Sequence, residues 1–303
     1  MRIVSLVPAG TEIVAALGLS AHLVAVTHDC DFPPEVQELP RVTRSTIAAG
    51  AASRAIDTAV RAAAARGEST FHLDGEALLA ARPDVIVGQT LCAVCAVTLA
   101  ALPATLRARV VPLEADSLDG MFDDLARVAA ALDVDERGTR LGESLHARLE
   151  AIRRAVQGRG RPRVACLEWL DPPFNGGHWV PQQVAIAGGD DILGSPGARS
   201  REIGMRDLAR ADPDVLVLMP CGFGVDRTCV EAQALLARAE WTLLRAVRAG
   251  RVYAVDGAAH FSRPGPRLVD GVEVLASLLH PEALSSTSEA FARCLAAYTS
   301  RAN

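Results

Sequence analysis

Four of the seven cysteines in this 303-residue chain stand where thiolate chemistry is expected. Cys92-Ala93-Val94-Cys95 is a C-x-x-C pair, a spacing that chelates zinc or a cluster iron, or forms a redox dithiol. Cys30 follows an apolar run in Thr27-His28-Asp29-Cys30-Asp31, and Cys221 follows another in Met219-Pro220-Cys221-Gly222. Together Cys30, Cys92, Cys95 and Cys221 make a ligand set for zinc or for an iron–sulfur cluster. The competing reading is of small apolar side chains buried in separate cores, the common state of free cysteines. Cys166, in an apolar strand, Cys229, and Cys294, in an expected C-terminal amphipathic helix, are read in this second way.

Three histidines, His28, His178 and His260, fall in loops of similar position, and imidazole ligates cobalt, iron or zinc. His178 stands in Gly176-Gly177-His178-Trp179-Val180-Pro181. The glycine pair lets backbone approach a ligand, and Pro181 opens a helix. A hydrogen-bonded structural role is the alternative for each histidine. Trp169 and Trp179 offer an apolar wall for a flat ligand, with core packing as the alternative; Trp241 is expected to pack a helix. Arg41 and Arg44 could fork an anionic group, as could Arg263 and Arg267 beside His260. There is no nucleophile elbow, phosphate-binding glycine loop or zinc-protease histidine pair. Glu168 has no partner in sequence, so no catalytic residue is assigned.

The elements that must position these residues are announced by a repeat. Leu79-Ala80-Ala81-Arg82-Pro83-Asp84-Val85-Ile86-Val87 is echoed by Leu208-Ala209-Arg210-Ala211-Asp212-Pro213-Asp214-Val215-Leu216-Val217. Each copy reads as a helix end, a Pro-Asp turn and a buried strand. Apolar runs predict strands at Arg2–Leu6, His22–Thr27, Val85–Gly88 and Arg109–Leu113, then at Arg163–Trp169, Val215–Met219 and Arg251–Val255. Helical patterns alternate with them, which implies parallel sheets covered by helices. Asp135 to Gly158 lacks proline and repeats Leu141, Leu145, Leu149 and Ile152 at helical spacing, one stiff helix of about 20 residues. The expected fold is α/β, two Rossmann-like lobes joined by a long rigid bridging helix: residues 1–134, 135–160 and 161–303. Ligands of parallel α/β sheets sit at the carboxyl ends of strands. The cysteine-bearing loops are therefore expected to open on a shared cleft.

Half of the residues are apolar and the net charge is −5, an ordinary globular balance that gives nucleic acid or an anionic membrane no purchase. No apolar run has the roughly 18 residues a membrane span needs. Met1-Arg2 leads at once into a first strand with no signal-peptide pattern, so a cytoplasmic location is expected.

Further stretches stand in a distinctive order: Ser5-Leu6-Val7-Pro8-Ala9-Gly10-Thr11-Glu12, Asp31-Phe32-Pro33-Pro34-Glu35-Val36, Ala81 to Val87, Asp171-Pro172-Pro173-Phe174-Asn175-Gly176-Gly177, Ala187-Gly188-Gly189-Asp190-Asp191-Ile192-Leu193, and Ser262-Arg263-Pro264-Gly265-Pro266-Arg267. This set, spanning most of the chain, resembles the helical-backbone (cluster A, type III) substrate-binding proteins of metal-chelate ABC importers, its vitamin B12-binding members above all. The resemblance implies two lobes, a bridging helix and a ligand held with little domain motion. It also implies aromatic side chains lining a corrin and one surface Glu per lobe that docks onto a permease. Here Gly88, Pro112 and Ser200 replace aromatics, Phe174 keeps one, and Phe32 stands for a Tyr; Val94 and Arg206 replace the docking acids.

The expectation is thus a cytoplasmic binding protein for a small metal-containing ligand, with no docking to an ABC permease. The ligand is a corrinoid such as cobalamin, held by Phe32, Arg44, Trp169, Phe174, His178, Trp179 and His260, or a metal centre on the four thiolates. The alternatives are an iron–sulfur redox protein or enzyme, a domain with buried thiols and another organic ligand, and the substrate-binding component of an importer.

Overall fold

A computed structural model of the chain describes residues 1–90, 101–284 and 290–295. The chain divides into two compact units, Met1–Ala115 with Asp119–Leu145, and Asp116–Leu118 with His146–Asn303.

In the first unit β1 (Ile3–Ser5) is fully buried and leads into α1 (Pro8–Ala16). Pro8 opens that helix, where its fixed φ fits and its missing N–H costs nothing. Then follow β2 (Leu23–Ala25), β3 (Thr43–Ser45), α2 (Ser53–Ala65), β4 (Phe71–Leu73) and α3 (Gly75–Ala80). The Asp74 carboxylate caps α3 by accepting from the Ala77 amide at 2.9 Å. β5 (Val85–Gln89), β6 (Arg109–Leu113) and α4 (Leu118–Ala131) complete the series, and α5 (Asp135–Val156) begins in the first unit and ends in the second. The sheet runs β2-β1-β5-β6, all parallel, and β3 pairs with β4 apart from it. The 22 residues of α5 span about 33 Å and bury Leu145, Leu149 and Ile152, as their spacing predicts.

The second unit continues with β7 (Arg163–Leu170), β8 (Pro173–Asn175), α6 (Val180–Ile186), β9 (Asp190–Asp191), α7 (Met205–Ala211) and β10 (Val215–Leu218). After these come α8 (Val225–Leu236), α9 (Ala239–Thr242), α10 (Arg245–Arg248), β11 (Val252–Val255), α11 (Gly257–His260), α12 (Leu268–Leu279) and β12 (Ala292–Cys294). The order is β12-β11-β10-β7-β8. β7, β10 and β11 are parallel, whereas β8 and β12 are antiparallel. Cys294 therefore lies in a strand opposite Tyr253, exposed, and not in an amphipathic helix. Its three-residue strand is too short to show a period of two, and pairing with β11 decides it.

The sequence repeat is a geometric repeat. Arg82 and Asp212, each before a proline, both take positive φ (44° and 39°). The next Asp, Asp84 or Asp214, accepts from the amide of Arg2 (2.7 Å) or Arg163 (3.0 Å) at the head of the neighbouring strand. That arginine's side chain returns to the helix end, to Ala81 O (2.9 Å) or Ala211 O (2.7 Å). Each Pro-Asp turn thus welds a helix, its own strand and the adjacent strand. The Arg163 amide holds the Asp214 carboxyl below its ordinary pKa.

Candidate functional site

The carboxyl end of β7 carries Glu168, Trp169 and Leu170. Trp169 stands directly opposite Phe174 of β8, so two half-buried aromatics share one face of the sheet edge. Phe223, in the loop after β10, meets Trp169 edge-on at 5.4 Å. The Arg227 guanidinium lies 3.5 Å from the centre of the Phe223 ring, a cation–π stack. The indole N–H of Trp169 is buried and has no acceptor among the described residues. Cys221 is half-buried at this same edge, its amide donating to Glu168 O at 2.9 Å.

His178 follows in the loop between β8 and α6. It is a non-glycine residue at φ 52°, a left-handed conformation that costs energy and clusters at functional sites. Two bonds hold it there: its amide donates to Ala198 O at 2.6 Å, and the Gly197 amide donates to His178 O at 3.0 Å. Gly177 before it donates to Glu168 Oε2 at 3.0 Å. Glu168 thus anchors this loop. Burial, then the charge of Arg199, lower the His178 pKa, while Asp116 acts in the opposite sense. Its Nδ1 is buried and has no partner among the described residues.

Trp179 and His260 sit deeper than the sequence implies. Trp179 is 5% exposed, and its Nε1–H donates to Phe261 O at 2.7 Å. It belongs to the core of the unit and not to a wall. His260 is 3% exposed, edge-on to Phe291 at 5.0 Å, with no partner for Nδ1 among the described residues. Burial, then Arg267, push its pKa down to about 4 against the pull of Asp256. An unfolded histidine, with its ordinary pKa near 6.5, takes up a proton that the folded one refuses. Stability is therefore expected to be full above pH 6.5, to fall by ~2–3 kcal/mol as pH drops towards 4, and to lose no more to this group below that. Urea midpoints of wild type and His260→Leu across pH 4–8 check this; the variant should lack the histidine part of the decline.

In the first unit Cys30 is a core thiol, 2% exposed, its Sγ 3.0 Å from Thr11 Oγ1 and 3.1 Å from Thr27 Oγ1. It packs with Ile13, Val26 and Val36, so the loop after β2 turns it inward and not towards a metal. Arg41 ties that loop together, donating to Thr27 O (2.8 Å) and Cys30 O (2.9 Å). Arg44 is exposed on β3 opposite His72, and Phe32 is 42% exposed. His28 Nδ1 lies 2.7 Å from Thr43 Oγ1. Cys92 and Cys95, with Val94 between them, lie outside the described residues. Among the described residues no three His, Cys, Asp or Glu side chains come together to hold a metal.

Residue reasoning missed Phe223 and Arg227. The available signal was Gly222-Phe223-Gly224, the loop directly after the second copy of the repeat.

Residues 3–259 match the model of a protein family described as periplasmic binding protein. The chain belongs to the periplasmic binding protein family. It is 24% identical over 288 residues to a vitamin B12-binding protein of Vibrio cholerae serotype O1, covering 92% of this chain and 88% of that one. It is 22% identical over 293 residues to the ABC transporter substrate-binding lipoprotein YvrC of Bacillus subtilis (strain 168), with 93% and 80% covered. Among solved structures, the apo periplasmic heme-binding protein RhuT of Roseiflexus sp. RS-1 superposes with a TM-score of 0.69 at 23% identity, covering 93% of this chain and 98% of that one. The fold is thus the two-lobe α/β architecture that the resemblance implies. These matches overturn the cytoplasmic expectation: the family and its relatives are periplasmic proteins or lipoproteins. That expectation rested on the residues following Met1, a weaker guide to location than kinship across 92% or more of the chain.

Proposed function

We propose that this protein is the substrate-binding component of an ABC importer and that its ligand is a flat, metal-containing macrocycle, a corrinoid or a haem. The family match across residues 3–259 is the observation that carries this reading. It favours the importer component over an iron–sulfur enzyme. The second unit supplies surface suited to such a ligand: the Trp169–Phe174 pair, the Phe223–Arg227 stack and His178, all near the carboxyl end of β7. Aromatic faces bury large apolar area, and a guanidinium stacked on one adds a cation to that surface. The aromatic positions of the vitamin B12-binding members fall on Gly88 and Pro112, inside β5 and β6. Aromatic contact is therefore assigned mainly to the second unit. A permease partner would meet exposed Arg206 on α7 where those members place an acid.

The test is direct titration of the full chain with haemin and, separately, with diaquocobinamide. One equivalent of either should quench tryptophan fluorescence with Kd in the micromolar range or tighter and stay with the protein through desalting. Retention of neither defeats the reading.

A further inference from the structure

The amino ends of the parallel strands of the second unit carry a group of arginines that the macrocycle surface does not use. Residues 151–163 hold five arginines and no acid, in a chain whose net charge is −5. Arg163 is the first residue of β7, and Asp214 and Arg251 directly precede β10 and β11. An open recess of about 560 Å³ lies at these ends, and Arg159, Arg161, Arg251, Asp214, His280 and Glu282 are among its lining. Trp169 stands six residues further along β7, roughly 20 Å away.

The acids of this lining already have their cations. Asp214 accepts from the Arg163 amide at 3.0 Å through Oδ2 and from Arg245 at 2.7 Å through Oδ1. Glu282 accepts from Nη1 of Arg159 at 2.7 Å. Its own amide, then Arg159, hold its carboxyl below the ordinary pKa. Arg161 is engaged by Asp190 (2.7 Å) and by the Gly189 carbonyl, and His280 Nε2 donates to Gly188 O at 3.1 Å. Arg251 is the exception. Among the described residues its half-buried guanidinium makes no hydrogen bond and no ion pair. Its backbone is fixed, the amide donating to Ala246 O at 2.8 Å and the carbonyl accepting from the Leu216 amide at 3.0 Å. Arg159 donates from Nε to Ala155 O at 3.2 Å and from Nη1 to Glu282, which leaves Nη2 for a further acceptor. The recess thus presents one unpaired guanidinium on a rigid strand start and part of a second.

We propose that this recess binds a phosphate group, carried by a small soluble compound or by a lipid headgroup, with Arg251 as its principal ligand and Arg159 as the second. Guanidinium forks match phosphate oxygens bidentately. A planar carboxylate offers one edge to such a fork, whereas a tetrahedral phosphate offers several, so arginines from two separate segments select the phosphate. Glu282 competes with the anion for Arg159. Its removal therefore strengthens binding, the reverse of what a merely structural ion pair predicts. The site is independent of the macrocycle, because recess and aromatic edge stand at opposite ends of β7.

The experiment titrates the full chain with inorganic pyrophosphate by calorimetry and, separately, follows its flotation with phosphatidylglycerol vesicles, both at low ionic strength. The wild type should bind at least one probe, less tightly as salt is added. Arg251→Ala should weaken that binding about tenfold or more, and Arg251→Lys, which keeps the charge without the fork, by less. Glu282→Gln should bind about threefold more tightly. Arg66→Ala, which removes an exposed arginine paired with Glu68 in the first unit, should bind as the wild type does. Arg251 has no partner to lose, so Arg251→Ala should melt with the wild type in buffer, and pyrophosphate should raise the wild-type Tm more than that of the variant. Pyrophosphate bound without vesicles assigns a soluble phosphate compound, and vesicles bound without pyrophosphate assign a headgroup. Binding of neither probe, citrate bound as tightly as pyrophosphate, or unchanged affinity in Arg251→Ala overturns the proposal. Haemin and diaquocobinamide should bind wild type and Arg251→Ala alike, so that failure of the phosphate site leaves the proposed function standing.

Discussion

Gly177→Ala is expected to destabilise the second unit by about 3 kcal/mol or more and to lower Tm by roughly 6–12 °C. The added Cβ would fall on the Ser200 amide nitrogen and lie 3.0 Å from Ala198 O and from the Arg199 carbonyl carbon. All three are main-chain atoms, so no side chain can swing aside. Relief requires moving segment 198–200 away. That breaks the His178 to Ala198 bond (2.6 Å) and strains the bonds joining Asn175 to Arg201 (2.9 and 3.2 Å). Overpacking of this kind costs ~1–3 kcal/mol, and each lost bond adds ~1 kcal/mol. Thermal melts followed by circular dichroism check it. Gly142→Ala in α5 is the control: nothing lies within 4 Å of its Cβ, and helix propensity alone should stabilise that variant by up to ~1 kcal/mol. If the two variants melt together, the tight approach at Gly177 is not a constraint on the fold.

Trp169→Ala is expected to weaken macrocycle binding ~30-fold or more, with a smaller effect on folding. Large aromatic anchors in an interface typically contribute 2 kcal/mol or more, which is about that ratio in Kd. Trp169 is half-buried, and its intramolecular contact is an edge-on ring pair with Phe223, worth ~0.5–1.5 kcal/mol to the fold. Its loss would also leave Phe174 without the aromatic it faces across the strand pair. Trp169→Phe should fall between wild type and alanine, since it keeps the ring and loses the N–H. Titration with haemin or diaquocobinamide, whichever the wild type retains, measures the series. Equal affinity of wild type and Trp169→Ala would remove the β7 edge from the binding surface.

The fold was legible where apolar runs are continuous. β1, β5, β7, β10 and β11 are central parallel strands covered on both faces, so nearly every residue in them is apolar. The Pro-Asp turns mark two of them from both sides of the duplication. Four short strands outside those runs were not legible. β3, β4, β8 and β12 are three residues each, too short for alternation to register. Part of the site was legible for a related reason: Gly176-Gly177-His178 announces a close backbone approach in its residue types. The Phe223–Arg227 stack was not: the two lie four residues apart, but Phe223 stands in the loop before α8, and its place beside Trp169 depends on a distant strand.

By itself, then, the order of residues determined the alternation of strand and helix, the duplication and the family. These depend on local apolar pattern and on turn chemistry carried within a few residues. Tertiary structure decided which polar groups face inward. Cys30 and His28 lie two residues apart in one loop, yet Thr11 and Thr27 draw the thiol into the core while Thr43 holds the imidazole half-buried. Trp179 and His178 are adjacent, yet Phe261 takes the indole while the left-handed backbone turns the imidazole along another course. Burial is a property of what packs against a residue, and apart from Thr27 these partners come from segments 15 to 82 residues away.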